Sequence, residues 1–443
     1  MLEATVSPEI LKENAQAADK RHRKMWNAVI PYDSLDQLPT IVKEQMANLL
    51  PGSNKPRVCA LYYGGTLGMH WELMDDGITK VLRPTDDTKE LLEPLQRWGL
   101  NDRVDIVWFP VLDHPIDSTN ARWPHWVSMG NAIKLLYDYF DGFAVAGGTD
   151  SLRFMTAAMH FQFPNIGKPI IAAAAQKESI GWGSDAPENL AFGIDAACSD
   201  LSGTHLAMAR KLRHGLHLFK VKDTEYDAFD SPQQYLLGHF DGRVNLYPNH
   251  PRRNILVTAG NLQYHPNFRD GIFSTEITPF VDAHSLFHMS LDPYASAILF
   301  ITYGAGNVRN EPLFEGDFTH IDVIRNLHAR QFPLVLGSPM QDGRVSSPYE
   351  PGVEAIHTGA ISGGDTTGAA LLVKMSRLLS ECWWTDEKRD ELQRSLKRGR
   401  QPVTDSESPL SFAYGVDYRE FRKQMYRNHV GELSLEMTDI GQK

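Results

Sequence analysis

The sequence predicts an α/β fold: a larger N-terminal domain on a doubly wound, mostly parallel sheet, then a smaller α/β C-terminal domain. Three observations predict it. Short apolar runs alternate with helix-length stretches, the pattern of strands joined by crossover helices. Two of these runs end alike, at Gly64-Gly65-Thr66 and Gly147-Gly148-Thr149. The alternation breaks at residues 246–254 (LYPNHPRRN), rich in turn formers, and then resumes.

In chain order, residues 7–28 read as a helix, with Ser7 as N-cap and Pro8 at the first helical position. Residues 1–56 form an N-terminal helical extension that ends in the turn Pro51-Gly52-Ser53-Asn54. The larger domain spans 57–245. Its strands are read at Arg57–Tyr63, Val104–Phe109, Gly142–Ala146 and Pro169–Ala175, with helices at 124–140 and 151–162. The smaller domain spans 254–380, with strands at Ile255–Thr258, Ala297–Tyr303 and Leu334–Leu336 and a helix at about 366–380. Residues 381–443 form a charged C-terminal helical extension that includes YREFRKQMYRN.

Bulk properties narrow the function. A length of 443 residues and a hydrophobic content of 42% supply a real core. The formal net charge of −11 disfavours nucleic acid and anionic membranes as partners. No run of residues is long and apolar enough for a membrane helix, and the acidic start lacks a signal-peptide pattern. Cys59, Cys198 and Cys382 are odd in number and scattered, so a reducing, cytoplasmic setting is expected.

Ligands of such sheets sit beyond the carboxyl ends of the strands, so those loops carry the chemistry. Gly64-Gly65-Thr66 is either a simple strand-ending turn or a close backbone approach to a ligand with Thr66 at its tip. Thr149-Asp150 is either a helix cap or a second reactive hydroxyl beside a carboxylate. Two such loops on one sheet converge, which favours the reactive reading. A threonine needs a base or polarising neighbour, and Lys220 or Lys222 can serve if its environment is suitable. His214 and His217, three apart, are read as a solvated face rather than a metal site. Gly304-Ala305-Gly306 lacks the rest of a nucleotide-loop pattern, and GxSxG, HExxH and CxxC patterns are absent.

Six segments in order then resemble the bacterial-type L-asparaginase/glutaminase family. They are ALYYGGTLGM (60–69), FAVAGGTDSLRFMTAAMHF (143–161), KPIIAAAAQKESIGWGSDAPENL (168–190), EYDAFDSP (225–232), TYGAGNVRNEP (302–312) and the block at 343–374 containing GAISGGDTTGAALLVK. The resemblance covers about residues 57–380. It implies Thr66 as nucleophile, Thr149 as second threonine, and Asp150 as its partner and the acceptor for a substrate ammonium. It selects Lys220 over Lys222 to complete the group, Ser118 to bind the substrate carboxylate, and Asn307 to reach the site of a neighbouring subunit. It further implies hydrolysis of asparagine or a related amide such as glutamine, no cofactor or metal, and a homodimer or homotetramer with shared active sites.

The chain departs from the family pattern at Ile78, where a lid tyrosine that activates the first threonine is expected. It also departs at Tyr63, commonly a small polar residue, and at Gly147, often histidine. Tyr62, Tyr63 and His70 are the alternatives for the missing phenol. A different amide substrate, or a catalytically silent binding homologue, is the rival reading.

Overall fold

The computed structural model describes residues 8–49, 51–179, 181–345, 349–384 and 415–434. It divides into two compact units: Ala28–Pro266, and the remainder, before Ala28 and after Pro266.

In Ala28–Pro266 the strands are β1 (Arg57–Tyr62), β2 (Met69–Leu73), β3 (Lys80–Pro84), β4 (Asp105–Pro110), β5 (Gly142–Ala146), β6 (Pro169–Ala173), β7 (Gly203–Met208), β8 (Lys211–His214), β9 (Phe219–Lys220), β10 (Phe229–Asp230), β11 (Leu236–Phe240) and β12 (Val244–Leu246). Helix α1 (Pro8–Trp26) precedes this unit, and its own helices are α2 (Thr40–Ala47), α3 (Lys89–Arg97), α4 (Trp123–Leu136), α5 (Leu152–Gln162) and α6 (Ala186–Ala197). An eight-stranded sheet runs β12-β11-β8-β7-β6-β5-β1-β4. Strands β4, β1, β5, β6 and β7 are parallel; β8, β11 and β12 continue the sheet antiparallel. The parallel strands are buried along almost their whole length, as helices on both faces require. From β1 the chain adds β4 on one side and then β5 on the other, so the topological switch point lies between β1 and β5. Both Gly-Gly-Thr loops leave the sheet there.

The other unit holds β13 (Ile272–Glu276), β14 (Ala297–Ile301), β15 (Leu334–Gly337) and β16 (Ile361–Ser362) in one four-stranded parallel sheet. Its helices are α7 (Ala283–Met289), α8 (His320–Ala329), α9 (Glu350–Thr358), α10 (Gly368–Glu381) and α11 (Tyr418–Met425), the last capped by Asp417, which accepts from the Glu420 N–H. Helix α1 belongs to this unit, with Ala18 in the same apolar cluster as β14, α10 and α11.

Several expectations are revised. Residues 255–258 form no strand: Ile255 and Leu256 are exposed in a turn, and the second sheet begins at β13, which the sequence reading passed over. The chain leaves the first unit at Pro266 rather than in 246–254, because residues 251–265 are hydrogen-bonded onto it. Asn254 N–H donates to Gly167 O at 2.9 Å, and His265 N–H donates to Gln162 O at 2.8 Å. Residues 28–49 also belong to the first unit. There the Gln45 amide accepts from Trp108 N–H at 2.8 Å and donates to Trp108 O at 3.0 Å, satisfying the open edge of β4. The charged stretch 385–400 lies outside the described residues. Among the described residues no helix is long and apolar enough to cross a membrane.

Candidate active site

Strands β1 and β5 pair in parallel with Tyr62 opposite Ala146, so their loops emerge side by side. Glycine makes the junction possible. Gly65 has φ +82, and a Cβ there would lie 2.1 Å from Gly148 N, so the two loop backbones touch. Gly64, at φ +122, abuts Ile116 O just as closely, while Ile116 N–H donates to Tyr63 O at 2.9 Å. That third loop delivers Ser118, a buried residue whose Oγ would lie 2.5 Å from a Cβ on Gly148. Thr66 and Ser118 thus flank the Gly147-Gly148-Thr149 loop. Thr66 is half-buried, Thr149 is buried, and Asp150 beside it is exposed.

Lys220 arrives on a short hairpin. Strands β9 and β10 pair with Phe229 opposite Lys220, so the DAFDSP segment supports the lysine. Asp227 of that segment pairs with Lys211 at 2.5 Å and with the buried Arg213 at 2.6 Å, tying the hairpin to β8. Lys220 Nζ donates to Thr149 Oγ1 at 3.2 Å and to Asp150 Oδ1 at 2.5 Å. Lys222 turns away and pairs with Glu225. Burial pushes the Lys220 ammonium down, but hydrogen bonds and charge from Asp150 and Asp223 outweigh it and hold the group above its ordinary value. Lys220 is therefore an ammonium in the resting chain, polarising Thr149 as a donor. Asp223, 3.2 Å from Lys220 Nζ, is a second carboxylate that sequence reasoning missed, although it stands three residues away.

The SDAPENL segment is a brace for the neighbouring loop. Asp185 accepts from the backbone N–H groups of Gln176 and Lys177 at 3.0–3.2 Å, and Asn189 Nδ2 donates to Ala174 O at 2.8 Å. These bonds fix the turn that follows β6.

The departures from the family pattern have physical locations. Ile78 is 85% exposed at the tip of the β2–β3 hairpin, in a turn held by Asp76, which accepts from the N–H groups of Ile78 and Thr79. Tyr62 donates its phenol to Gly68 O at 3.2 Å and Thr85 O at 3.1 Å, bracing the turn that carries Thr66. Its proton is committed to those carbonyls. His70 pairs with Glu72 at 3.4 Å on the hairpin. Tyr63 is buried, and a Cβ on Gly147 would lie 2.2 Å from its ring. The large residue at 63 and the absent side chain at 147 are one exchange of volume. Burial pushes the Tyr63 phenol up to about 12. Spacing alone gave no sign of this pairing.

Asn307 lies in the other unit. It closes a tight turn after β14, where Asn307 N–H donates to Tyr303 O at 3.3 Å and Tyr303 N–H donates to Asn307 O at 3.2 Å, with Gly306 at φ +99. His214 and His217, expected on a solvated face, instead belong to a buried histidine cluster in the first unit: the His214 ring lies 4.9 Å from that of His160 and 5.2 Å from that of His205. Strand β8 pairs against β7 and brings His214 against His160 of α5, while the His217 ring stacks on Tyr235.

Fold and site together define an α/β protein with two glycine-flanked threonines, an ammonium and two carboxylates at the switch point of its larger sheet. The profile "Asparaginase, N-terminal" matches residues 57–252. An L-asparaginase of Dirofilaria immitis is 26% identical over 79% of this chain and 61% of its own length. L-asparaginase 1 of Escherichia coli K12 is 26% identical over 77% of this chain and 97% of its own. The solved thermostable L-asparaginase of Thermococcus kodakarensis superposes with a TM-score of 0.66 at 24% identity, over 85% of this chain and 99% of that one, a likeness of fold. Relatives at a similar level also bear other names, among them a human 60 kDa lysophospholipase and archaeal Glu-tRNA(Gln) amidotransferase D subunits. Residues 57–252 of the chain thus match the asparaginase family, and relatives over 77–79% of the chain include L-asparaginases.

Proposed function

We propose that this chain hydrolyses the side-chain amide of L-asparagine, or a related amide such as glutamine, to the acid and ammonia through Thr66. The observation that carries the reading is Lys220 Nζ bridging Thr149 Oγ1 and Asp150 Oδ1 beneath two abutting glycine–threonine loops. The substrate ammonium docks on Asp150 and its carboxylate on Ser118 Oγ and loop N–H groups. An ammonium on Asp150 takes up part of the charge that sustains Lys220, so burial draws the lysine toward releasing its proton. Thr66 Oγ attacks the amide carbon, and the oxyanion is held by backbone N–H groups of the glycine loops. The Thr66 proton ends on the departing nitrogen, ammonia leaves, and water attacks the acyl-threonine through the Thr149–Lys220 pair to free the acid.

A cytoplasmic location and a homodimer or homotetramer, with Asn307 entering a partner's site, complete the proposal. The free state of all three cysteines supports that location. Ammonia release from a panel of amides tests the reaction: Thr66→Ala is expected to lose ~10²-fold or more in kcat. A Thr66→Ala chain as active as the wild type overturns the nucleophile assignment. Full activity of a demonstrated monomer overturns the shared site.

A second reading, a different amide, is favoured by Ile78, an isoleucine that cannot move a proton. The same panel decides it: asparagine and glutamine inert and another amide turned over would replace the first reading.

A further inference from the structure

The buried histidines of the first unit lie outside the amide-hydrolysis machinery. His205 and His214 are directly paired residues of β7 and β8, so they share one face of the sheet. His160, from α5, lies over that face: its ring stacks on His214 with centroids 4.9 Å apart, and the His205 ring lies 5.2 Å from that of His214. One ring nitrogen from each of the three lies within 4.8 Å of the other two. His160 lies in the last turn of α5 and His205 in the amino-terminal half of β7, away from the strand ends that carry the threonines.

Backbone contacts fix the tautomers of two rings. His160 Nε2 lies 2.7 Å from Thr204 O, and His205 Nε2 lies 2.8 Å from Ser202 O. A carbonyl only accepts, so both Nε2 atoms carry the hydrogen and both Nδ1 atoms keep a lone pair. The fully buried His205 leaves its Nδ1 without a hydrogen bond among the described residues. A buried lone pair with nothing to accept costs stability unless a donor or a cation fills its place. An imidazole whose other N–H is tied to a backbone carbonyl is also how proteins orient a metal ligand. His214 is held loosely: its Nδ1 accepts from Leu216 N–H at 3.4 Å, leaving Nε2 as the third donor atom.

We infer that His160 Nδ1, His205 Nδ1 and His214 Nε2 form a binding site for Zn2+ or a similar borderline divalent cation. Three imidazoles without a carboxylate suit Zn2+ rather than Ca2+ or Mg2+. Nitrogen ligands on tetrahedral Zn2+ at ~2.0–2.1 Å sit roughly 3.3 Å apart, so binding draws the rings together from their present spacing. The proton on His214 Nε2 leaves or moves to Nδ1, giving up the long contact to Leu216. The fourth position falls to water or to His217, whose ring centroid is 5.3 Å from that of His214. Burial, the foremost cause, together with the neighbouring rings keeps His160 down at about 3, and burial keeps His205 down at about 4, so protons do not compete for these lone pairs at neutral pH.

The test uses the full chain, free of any affinity tag and stripped with a chelator, and Co2+ alone as probe. The expected result is one Co2+ per chain with the intense visible absorption of a four-coordinate ion. Zn2+ should bleach that band and raise Tm, and both effects should vanish in His205→Asn. If that variant does not fold, His214→Asn at the half-buried ring reads the same loss. No Co2+ bound by the wild type at micromolar concentration overturns the site. So does the weak spectrum of a six-coordinate ion, or undiminished binding in the folded variant.

Discussion

At the scale of single residues, the site is built by what glycine lacks. Gly65 and Gly148 let two backbones meet, and no side chain fits between them. The exchange of volume between Tyr63 and Gly147 yields a sharp prediction. Gly147→His places a ring where Tyr63 lies, so it should destabilise the chain. In the Tyr63→Thr background the same substitution should be tolerated, with a coupling of about 1–3 kcal/mol in a double-mutant cycle. Equal denaturation midpoints for Gly147→His in both backgrounds would show that the two positions are independent. Ile78 falls on an exposed hairpin tip, so its isoleucine is a question of chemistry rather than of folding.

At the scale of elements, the β9–β10 hairpin shows why a motif reads as function while acting partly as support. Asp227 is tied to Lys211 and Arg213, and the β10 strand it leads into sets the register that points Lys220 at Thr149. The segment before β1 has a comparable structural task, since Gln45 imitates a strand along the edge of β4. Gln45→Ala removes both hydrogen bonds to Trp108 and reopens that edge, at an expected cost of about 1–3 kcal/mol. An unchanged urea midpoint for this variant would show that the edge is satisfied by other means. In the other unit, Lys374 on α10 is buried with Glu432 at 2.8 Å and donates to Met425 O and Arg427 O, pinning the segment after α11. Glu432→Gln strands that ammonium and should cost about 3–5 kcal/mol in chemical denaturation. A loss below 1 kcal/mol would mean that the carbonyls alone suffice.

At the scale of the whole molecule, stability should fall in mild acid. His160 and His205 have folded-state values depressed to about 3 and about 4, and His214 lies well below its ordinary value, burial being the largest cause in each. The unfolded chain therefore takes up protons near pH 6.5 that the folded chain refuses, so stability present above that pH is lost as pH falls toward 4. Glu432 adds in the same direction: burial pushes its carboxyl up, but Lys374 and backbone N–H donors hold it below its ordinary value. Tm should drop from pH 7 to pH 5, less steeply in His205→Asn. A flat wild-type profile over that range would contradict the buried neutral state.

The alternation of strands and helices, the two glycine–threonine loops and the order of six family segments are all legible in the sequence. Each of these is local: a period of apolar residues, a turn chemistry, a spacing. It therefore located most of the parallel strands of the first sheet to within a residue or two. It passed over β13 and read a strand at 255–258, since short apolar runs do not announce whether the backbone finds a partner. Which distant groups share a volume emerges from the folded chain alone. The contact of Gly65 with Gly148, the reach of Lys220 rather than Lys222, the second carboxylate at Asp223 and the exchange between Tyr63 and Gly147 all join segments through space. Histidines read as a solvated face became buried for the same reason: burial is set by what the rest of the chain lays on top.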